Sequence, residues 1–212
     1  MESKKISYAD KPWVKEFRLG PYRLAPSVDV PKIPLYKFLE DIASEFPDRT
    51  AILLEHWSML YKDLKSESDK FAAALADLGV KKGDRVAILL PVCPQIAICA
   101  FGILKVGGVF IPLAPEMEAS QLEQLLAVTG TEVVICLDDP PEGIAGLNTV
   151  ASLKDRIKIR EIISTSSKDY SLEEEPEAKE VAGASSLRNL IAKYEAKPPE
   201  VEIGPAEDVA LV

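Results

Sequence analysis

Residues 85–113 read RVAILLPVCPQIAICAFGILKVGGVFIPL, and this stretch decides the fold. Arg85 to Leu90 is a nearly unbroken apolar run, too short for a helix and typical of a strand covered on both faces. Pro91 and Pro94 bracket the start of a helix, where the missing N–H of proline is no loss. The pattern predicts a helix over 94–105 that turns at Gly107-Gly108 into a second buried strand over 108–113. Further along, Leu122, Leu125 and Leu126 mark a helix over 118–128 closed by Gly130, and Val133 to Leu137 is a third buried strand. Residues 85–137 therefore alternate strand, helix, strand, helix, strand. Each connection is long enough for a right-handed crossover, so the strands are expected parallel, in an α/β domain of βαβ units with flanking helices.

Ile96–Ala114 holds a single charge, Lys105, so a membrane span has to be weighed. A lysine near the centre of a spanning helix costs roughly 2.5–3.5 kcal/mol, and Gly107, Gly108 and Pro112 interrupt the helix. A buried helix followed by a buried strand fits better, and no transmembrane segment is expected. Upstream, Leu35, Phe38, Leu39, Ile42, Ala43 and Phe46 recur at helical spacing and predict a helix with one buried face, ended by Pro47. Thr50–Glu55 and Met59–Tyr61 read as a hairpin around a turn near His56–Ser58. A helix over 62–78 follows, with Leu64, Phe71, Leu75 and Leu78 on one stripe and Gly79 after it. Residues 1–34 carry Pro12, Pro21, Pro26, Pro31 and Pro34 among Tyr8, Trp13, Phe17 and Tyr22. That proline density predicts an extended arm with docking aromatics.

Beyond Leu137 the texture turns acidic: residues 138–212 carry 16 acids against 9 bases. Asp138–Gly143 reads as a surface loop and Ile159–Ser164 as a strand. Asp169–Glu180 is better explained as a solvated acidic loop than as a partner-binding tail. Ser185 or Ser186 caps a helix that buries Leu187, Leu190, Ile191 and Tyr194, and Lys197-Pro198-Pro199 stops it. Asp208–Val212 reads as the opening of a buried strand. The expected organisation is an arm over 1–34, an α/β core over 35–137 and an acidic peripheral segment over 138–212.

The 212 residues are 47% hydrophobic and 28% charged, enough for a sizeable core. The net charge of −9 argues against a nucleic-acid partner and a polybasic membrane anchor. Cys93, Cys99 and Cys136 all lie in apolar runs; an odd count without framework spacing predicts reduced, buried thiols and a cytoplasmic location. Self-sufficient sites are not found: the sequence has no GxxxxGK[ST], GxGxxG, CxxC or HExxH. The only histidine, His56, is better read as a surface residue beside a turn. Asp138/Asp139 and Glu173/Glu174/Glu175 are loop carboxylates, and a metal or acid–base role for them would need convergent partners that the sequence does not name. Gly107-Gly108 is better explained by a helix C-cap than by a phosphate cradle. Cys93 lies at a helix N-terminus, a place that lowers a thiol pKa, but a structural cysteine is the stronger reading. No catalytic, cofactor-binding or metal-ligating residue is assigned.

The run Leu78–Pro91 (LGVKKGDRVAILLP), then Cys93-Pro94-Gln95 leading to Gly102–Leu113, resembles the early core of the adenylate-forming (AMP-binding) superfamily. Phe46–Ala51, Tyr61–Leu64 and Glu207–Leu211 supply further landmarks in the same order. The flavour is most similar to medium- or long-chain fatty-acid–CoA ligases. Two positions depart: Val92 and Ala114 stand where the family often has Asn, losing a helix-capping and a turn-stabilising amide. The resemblance implies a reaction in which ATP activates a fatty acid to acyl-AMP and the acyl group passes to CoA, with Mg in attendance. It also implies that the ATP loop, the acyl pocket and a lysine-bearing C-terminal domain lie beyond Val212, so these residues alone are expected to bind none of ATP, Mg and CoA and to be inactive. The implied partner is the remainder of the ligase or a dimer mate. The alternatives are a non-enzymatic interaction or scaffold module that docks with the complementary half through the edge at Val209–Val212, and an unrelated small-molecule-binding α/β domain.

Overall fold

In the computed structural model of the chain the described residues are 18–19, 21–23, 30–54, 57–170 and 181–212. The chain divides into two units, Met1–Lys32 and Ile33–Val212. In the first, β1 (Arg18–Leu19) and β2 (Tyr22–Arg23) form a short antiparallel pair. The expected docking aromatics Tyr8, Trp13 and Phe17 lie outside the described residues, as do Glu55, His56 and residues 171–180 of the acidic run.

The second unit opens with α1 (Leu35–Glu45) and an antiparallel hairpin of β3 (Thr50–Leu54) and β4 (Trp57–Leu60). Then come α2 (Tyr61–Asp77), β5 (Arg85–Leu89), α3 (Pro94–Lys105), β6 (Val109–Pro112), α4 (Ala119–Thr129) and β7 (Val133–Leu137). The elements α5 (Leu147–Ser152), β8 (Glu161–Thr165), β9 (Ser185–Ser186) and α6 (Leu187–Lys193) complete it. The strands form one parallel sheet in the order β6-β5-β7-β8-β9. This is the α/β parallel architecture expected from the alternation of apolar runs. Neither α5 nor β9 was anticipated, and both belong to the acidic half.

Side chains alternate between the two faces of the sheet, as strand geometry requires. Val86, Ile88, Val133, Ile135 and Ile163 pack with Phe71 and Leu75 of α2, Ile98 and Ile103 of α3 and Leu187 of α6. Ala87, Leu89, Val134, Cys136 and Ile162 pack on the other face with Leu122 and Leu126 of α4 and Val150 of α5. At the amino end of the sheet Arg160 acts as a clasp. Its guanidinium donates to the Leu78 carbonyl at 2.5 Å and lies 3.3 Å from Glu132 and 3.6 Å from Asp84.

The lone charge of the apolar run is explained by its partners. Lys105, the last residue of α3, is 8% exposed. Its ammonium pairs with buried Asp69 of α2 and, at 2.7 Å, with Glu40 of α1, and it lies 5.6 Å from the centre of the Tyr36 ring. Lys65 reaches Asp69 at 2.6 Å and Lys37 reaches Glu40 at 2.8 Å. Burial works against the charge on Glu40, but the bonds from Lys105 and Lys37 outweigh it and hold the carboxyl below the usual range. Three helices thus meet at one cation. The approach of α2 to α3 is close enough that a Cβ on Gly102 would sit 2.7 Å from Phe71 Cδ1 and 3.1 Å from the Ser68 carbonyl.

Two expectations are corrected. In α1 only Leu39 and Ala43 are buried; Leu35, Phe38 and Ile42 are 49%, 41% and 36% exposed. The face is split because α2 and α3 cover only the side that carries Glu40, Leu39 and Ala43. The terminal segment is not a buried strand. Leu211 makes a single parallel bridge to Phe110 of β6, and Val209, Leu211 and Val212 are exposed.

Replacing Lys105 with Met leaves Asp69 and Glu40 without their shared cation. The expected loss is about 3 kcal/mol of unfolding free energy, read by urea denaturation, and Lys105→Met with Asp69→Leu should recover much of it. For Gly102→Ala, the gain in helix propensity is at most about 1 kcal/mol, while overpacking costs about 1–3 kcal/mol. A net drop in Tm is expected; an unchanged or raised Tm would contradict the tight α2–α3 contact.

Candidate functional site

In parallel sheets wound on both faces, ligands sit at the carboxyl ends of adjacent strands whose connections leave to opposite faces. Here β5 leads to α3 on one face and β7 to α5 on the other, and β5 and β7 are neighbours. The candidate site is therefore lined by the Leu90–Gln95 turn after β5, by Asp138 and Asp139 after β7, and by Thr165–Asp169 after β8.

The turn after β5 ends in Pro94 at the first position of α3, as its sequence dictates. Cys93 occupies the N-cap without a side-chain bond, and Val92, where an Asn would offer an amide, is 92% exposed. The helix N-terminus does not activate the thiol. Burial pushes the Cys93 pKa up, and the N–H groups of Ile96 and Gln95 only partly oppose it. Cys136 is pushed up to about 12 and Cys99 well up, both chiefly by burial. All three are free; Cys99 and Cys136 are buried as expected, whereas Cys93, at the start of α3, is only half-buried.

Gln95, one residue into α3, is buried and sequence reading did not single it out. Its amide nitrogen donates to the Thr165 hydroxyl at 3.3 Å and to the Ser166 carbonyl at 3.0 Å, while its Oε1 meets no protein donor. Thr165 in turn donates to Asp169 Oδ2 at 2.9 Å, which also accepts from the Ser166 N–H at 3.0 Å. Arg188 of α6 stands 3.9 Å from the other oxygen of Asp169. Asp139 is similarly filled: it accepts from the Ser166 hydroxyl at 2.8 Å, the Ser167 N–H at 2.9 Å and the Ser167 hydroxyl at 3.1 Å. Burial raises its pKa, but these donors outweigh it and hold the carboxyl low. A carboxylate so occupied is a poor general base, because its lone pairs are already taken.

A second buried pair adjoins this network. Tyr170 donates to Glu67 of α2 at 2.6 Å and takes the Trp57 ring edge-on at 5.7 Å. Burial pushes both Glu67 and Tyr170 up. Their separation of more than a hundred residues left no local signal. Of the other residues weighed from sequence, Glu173, Glu174 and Glu175 lie outside the described residues, as does His56. Gly107 takes φ +75° and its N–H bonds to the Leu104 carbonyl at 3.2 Å, so this glycine ends α3. Asp138 joins the strand ends through its N–H, 3.0 Å from the Thr165 carbonyl. No group of three or more metal-binding side chains occurs among the described residues, and no helix there is long and apolar enough to cross a membrane. The polar groups over the strand ends bind one another and brace the loops.

Comparison with known proteins follows the same outline. The family described as "AMP-binding enzyme" matches residues 39–212. The long-chain-fatty-acid–CoA ligase of Bacillus subtilis (strain 168) is 34% identical over 163 residues, which are 76% of this chain and 27% of that protein. The fold is similar to the crystal structure of a long-chain-fatty-acid-CoA ligase from Archaeoglobus fulgidus, with a TM-score of 0.70 and 18% identity over 87% of this chain and 35% of that one. It is also similar to a benzoate CoA ligase from Burkholderia xenovorans LB400, with a TM-score of 0.68 and 16% identity over 84% and 32%. The chain thus spans about a quarter to a third of the proteins it matches. With the family matched from the first helix to the last residue, the chain belongs to the AMP-binding enzymes.

Proposed function

We propose that these residues are the N-terminal part of a fatty-acid–CoA ligase. The whole enzyme would join a fatty acid to ATP, releasing pyrophosphate and forming acyl-AMP, and then pass the acyl group to the CoA thiol. The observation that carries this reading is the 34% identity to the Bacillus subtilis ligase over 163 residues. Within such an enzyme this part acts as a scaffold. Its sheet sets the positions of the strand ends, and its polar residues there brace loops instead of reacting.

ATP, Mg and CoA belong to the whole enzyme in this reading. Stabilising a transferring phosphoryl or adenylyl group takes cations and clustered N–H donors. The described loops over the strand ends instead present Asp138, Asp139 and Asp169, and Asp139 and Asp169 already hold protein donors. These residues do not fit a triphosphate by themselves. The partner is the remainder of the ligase or a dimer mate, and the fatty acid is a ligand of the whole enzyme only. The free thiols favour the cytoplasm.

The exposed Val209, Leu211 and Val212 favour a second reading, a non-enzymatic module that docks with a separate complementary half. Fatty-acid-dependent ATP–pyrophosphate exchange by the 212-residue chain is expected to stay at the enzyme-free blank. Exchange above that blank would overturn the inactivity of these residues alone. Reading the coding frame past Val212 distinguishes the two readings: a frame that continues into the complementary part supports the ligase, and a stop codon there supports the module.

A further inference from the structure

Lys82 lies in the turn that leads into β5, and its ammonium reaches across 126 positions of sequence to Asp208 at 2.7 Å. The same ammonium donates to the Glu202 carbonyl at 2.8 Å. Asp208 Oδ2 also accepts from the Gly204 N–H at 2.7 Å, which closes residues 204–208 into a turn. The Lys82 ammonium first, and then the Gly204 N–H, hold the Asp208 carboxyl below its ordinary range.

The ground under Lys82 is itself fixed. The Gly83 N–H bonds to the Gly107 carbonyl at 2.8 Å, and the Val109 N–H bonds to the Asp84 carbonyl at 2.8 Å. A Cβ on Gly107 would stand 3.0 Å from Val201 and 3.2 Å from the Lys82 side chain, so the tail is pressed onto the turn between α3 and β6. From Asp208 onward the chain runs beside β6. The Phe110 N–H donates to the Ala210 carbonyl at 3.0 Å and the Val212 N–H to the Phe110 carbonyl at 3.2 Å, a parallel ladder begun on the outer edge of the sheet.

We propose that the Lys82–Asp208 pair is a register clamp, positioning the segment after Asp208 as a parallel strand on the outer edge of β6. A parallel ladder has no hairpin to set its register, so the register must come from a fixed point at one end. The clamp supplies that point at the amino end of the sheet. A slip by one residue would put Leu211 where the smaller, half-buried Ala210 now lies and would turn Ala210 outward. The parallel direction carries Val212 toward the carboxyl ends of the strands. On the ligase reading above, the chain that follows in the whole enzyme is the ATP loop. Lys82 and Asp208 are then positioning residues for that loop, remote from the chemistry.

Amide hydrogen exchange by NMR on the 212-residue chain tests the clamp without reference to any activity. Asp208→Asn removes the charge but keeps an oxygen for the Gly204 N–H; Lys82→Gln removes the cation. Each is expected to speed exchange of the Phe110 amide by about two- to fivefold, the range of a partly exposed ion pair. Exchange of the Val134 amide, in the centre of the sheet, should not change. The double variant should exchange no faster than either single one, and Lys82→Arg should keep the protection of Phe110. An unchanged Phe110 amide in both single variants would overturn the proposal. So would equal acceleration at Val134, which marks general destabilisation, or fully additive effects in the double variant. If the clamp holds and no longer ligase containing it shows acyl activation, the ligase reading fails and the clamp stands.

Discussion

The arrangement of helices over one face of the sheet depends on a buried cation. Taking an ammonium out of water costs several kcal/mol, and the cost is recovered only where its donors find partners in good geometry. Lys105 finds Asp69 on α2 and Glu40 on α1, with the Tyr36 ring nearby. Each acid is shared with a second, more exposed lysine, which spreads the charge toward solvent. The value of such a cluster lies in position more than in strength: a rotated or shifted α2 would strand Lys105 against apolar neighbours. Gly102, three residues earlier on the same helix, makes the geometry possible. Only a residue without a side chain allows Phe71 and the Ser68 backbone so near α3, and that closeness brings Asp69 within reach.

The same economy governs the polar end of the sheet. The chain crosses from one face to the other between β5 and β7, which opens a crevice over the strand ends. In this chain that region is tied by Gln95 to Thr165, by Thr165 to Asp169 and by Asp139 to Ser166 and Ser167. Acidic side chains near a crevice suggest acid–base chemistry only until their hydrogen bonds are counted. Once Asp139 accepts three donors, its charge is accounted for by its neighbours and a bracing role follows. The unpaired Oε1 of Gln95 is the exception within the described network.

Most of the sheet was legible because its strands announce themselves. A parallel strand covered on both faces tends to be apolar along its length, and the short runs Val86–Leu90 and Val133–Leu137, bounded by turn residues, fit that pattern. Helix boundaries were legible where backbone chemistry marks them: Pro94 at the start of α3, Gly107 after its end, Ser186 accepting from the Asn189 N–H. The short elements were not. The six residues of α5, LNTVAS, carry too few turns for a periodic signal, and two-residue β9 is a strand only because β8 lies beside it. Burial was misjudged for α1 and for the tail for one common reason. Apolar spacing reports what a segment is able to bury, whereas burial depends on which neighbours arrive. The candidate site was the least legible part, since Gln95–Thr165 and Glu67–Tyr170 are long-range pairs between residues unremarkable in isolation.

The uncovered apolar residues bear on what the chain does. Leu35 at the start of α1 and Val209 in the tail border one cavity of only about 30 Å³, together with Lys82 and Asp208. The two exposed patches are therefore neighbours. Leu35, Phe38 and Ile42 are already more than half covered, so completing their burial would contribute about 0.5–1.5 kcal/mol each, together a sizeable part of the stability of a domain this size. Scattered exposed leucines need no explanation, but a helical stripe adjoining an exposed strand is a contiguous surface of the kind that associates. The outer edge of β6 is already taken by the tail, and in a parallel ladder the backbone groups of Leu211 turn away from β6. A covering element that both pairs with Leu211 and lies over α1 would satisfy backbone and side chains together. The rest of a ligase and a separately encoded half would meet that requirement equally, so covalent continuity, rather than the shape of this surface, is what separates the two readings.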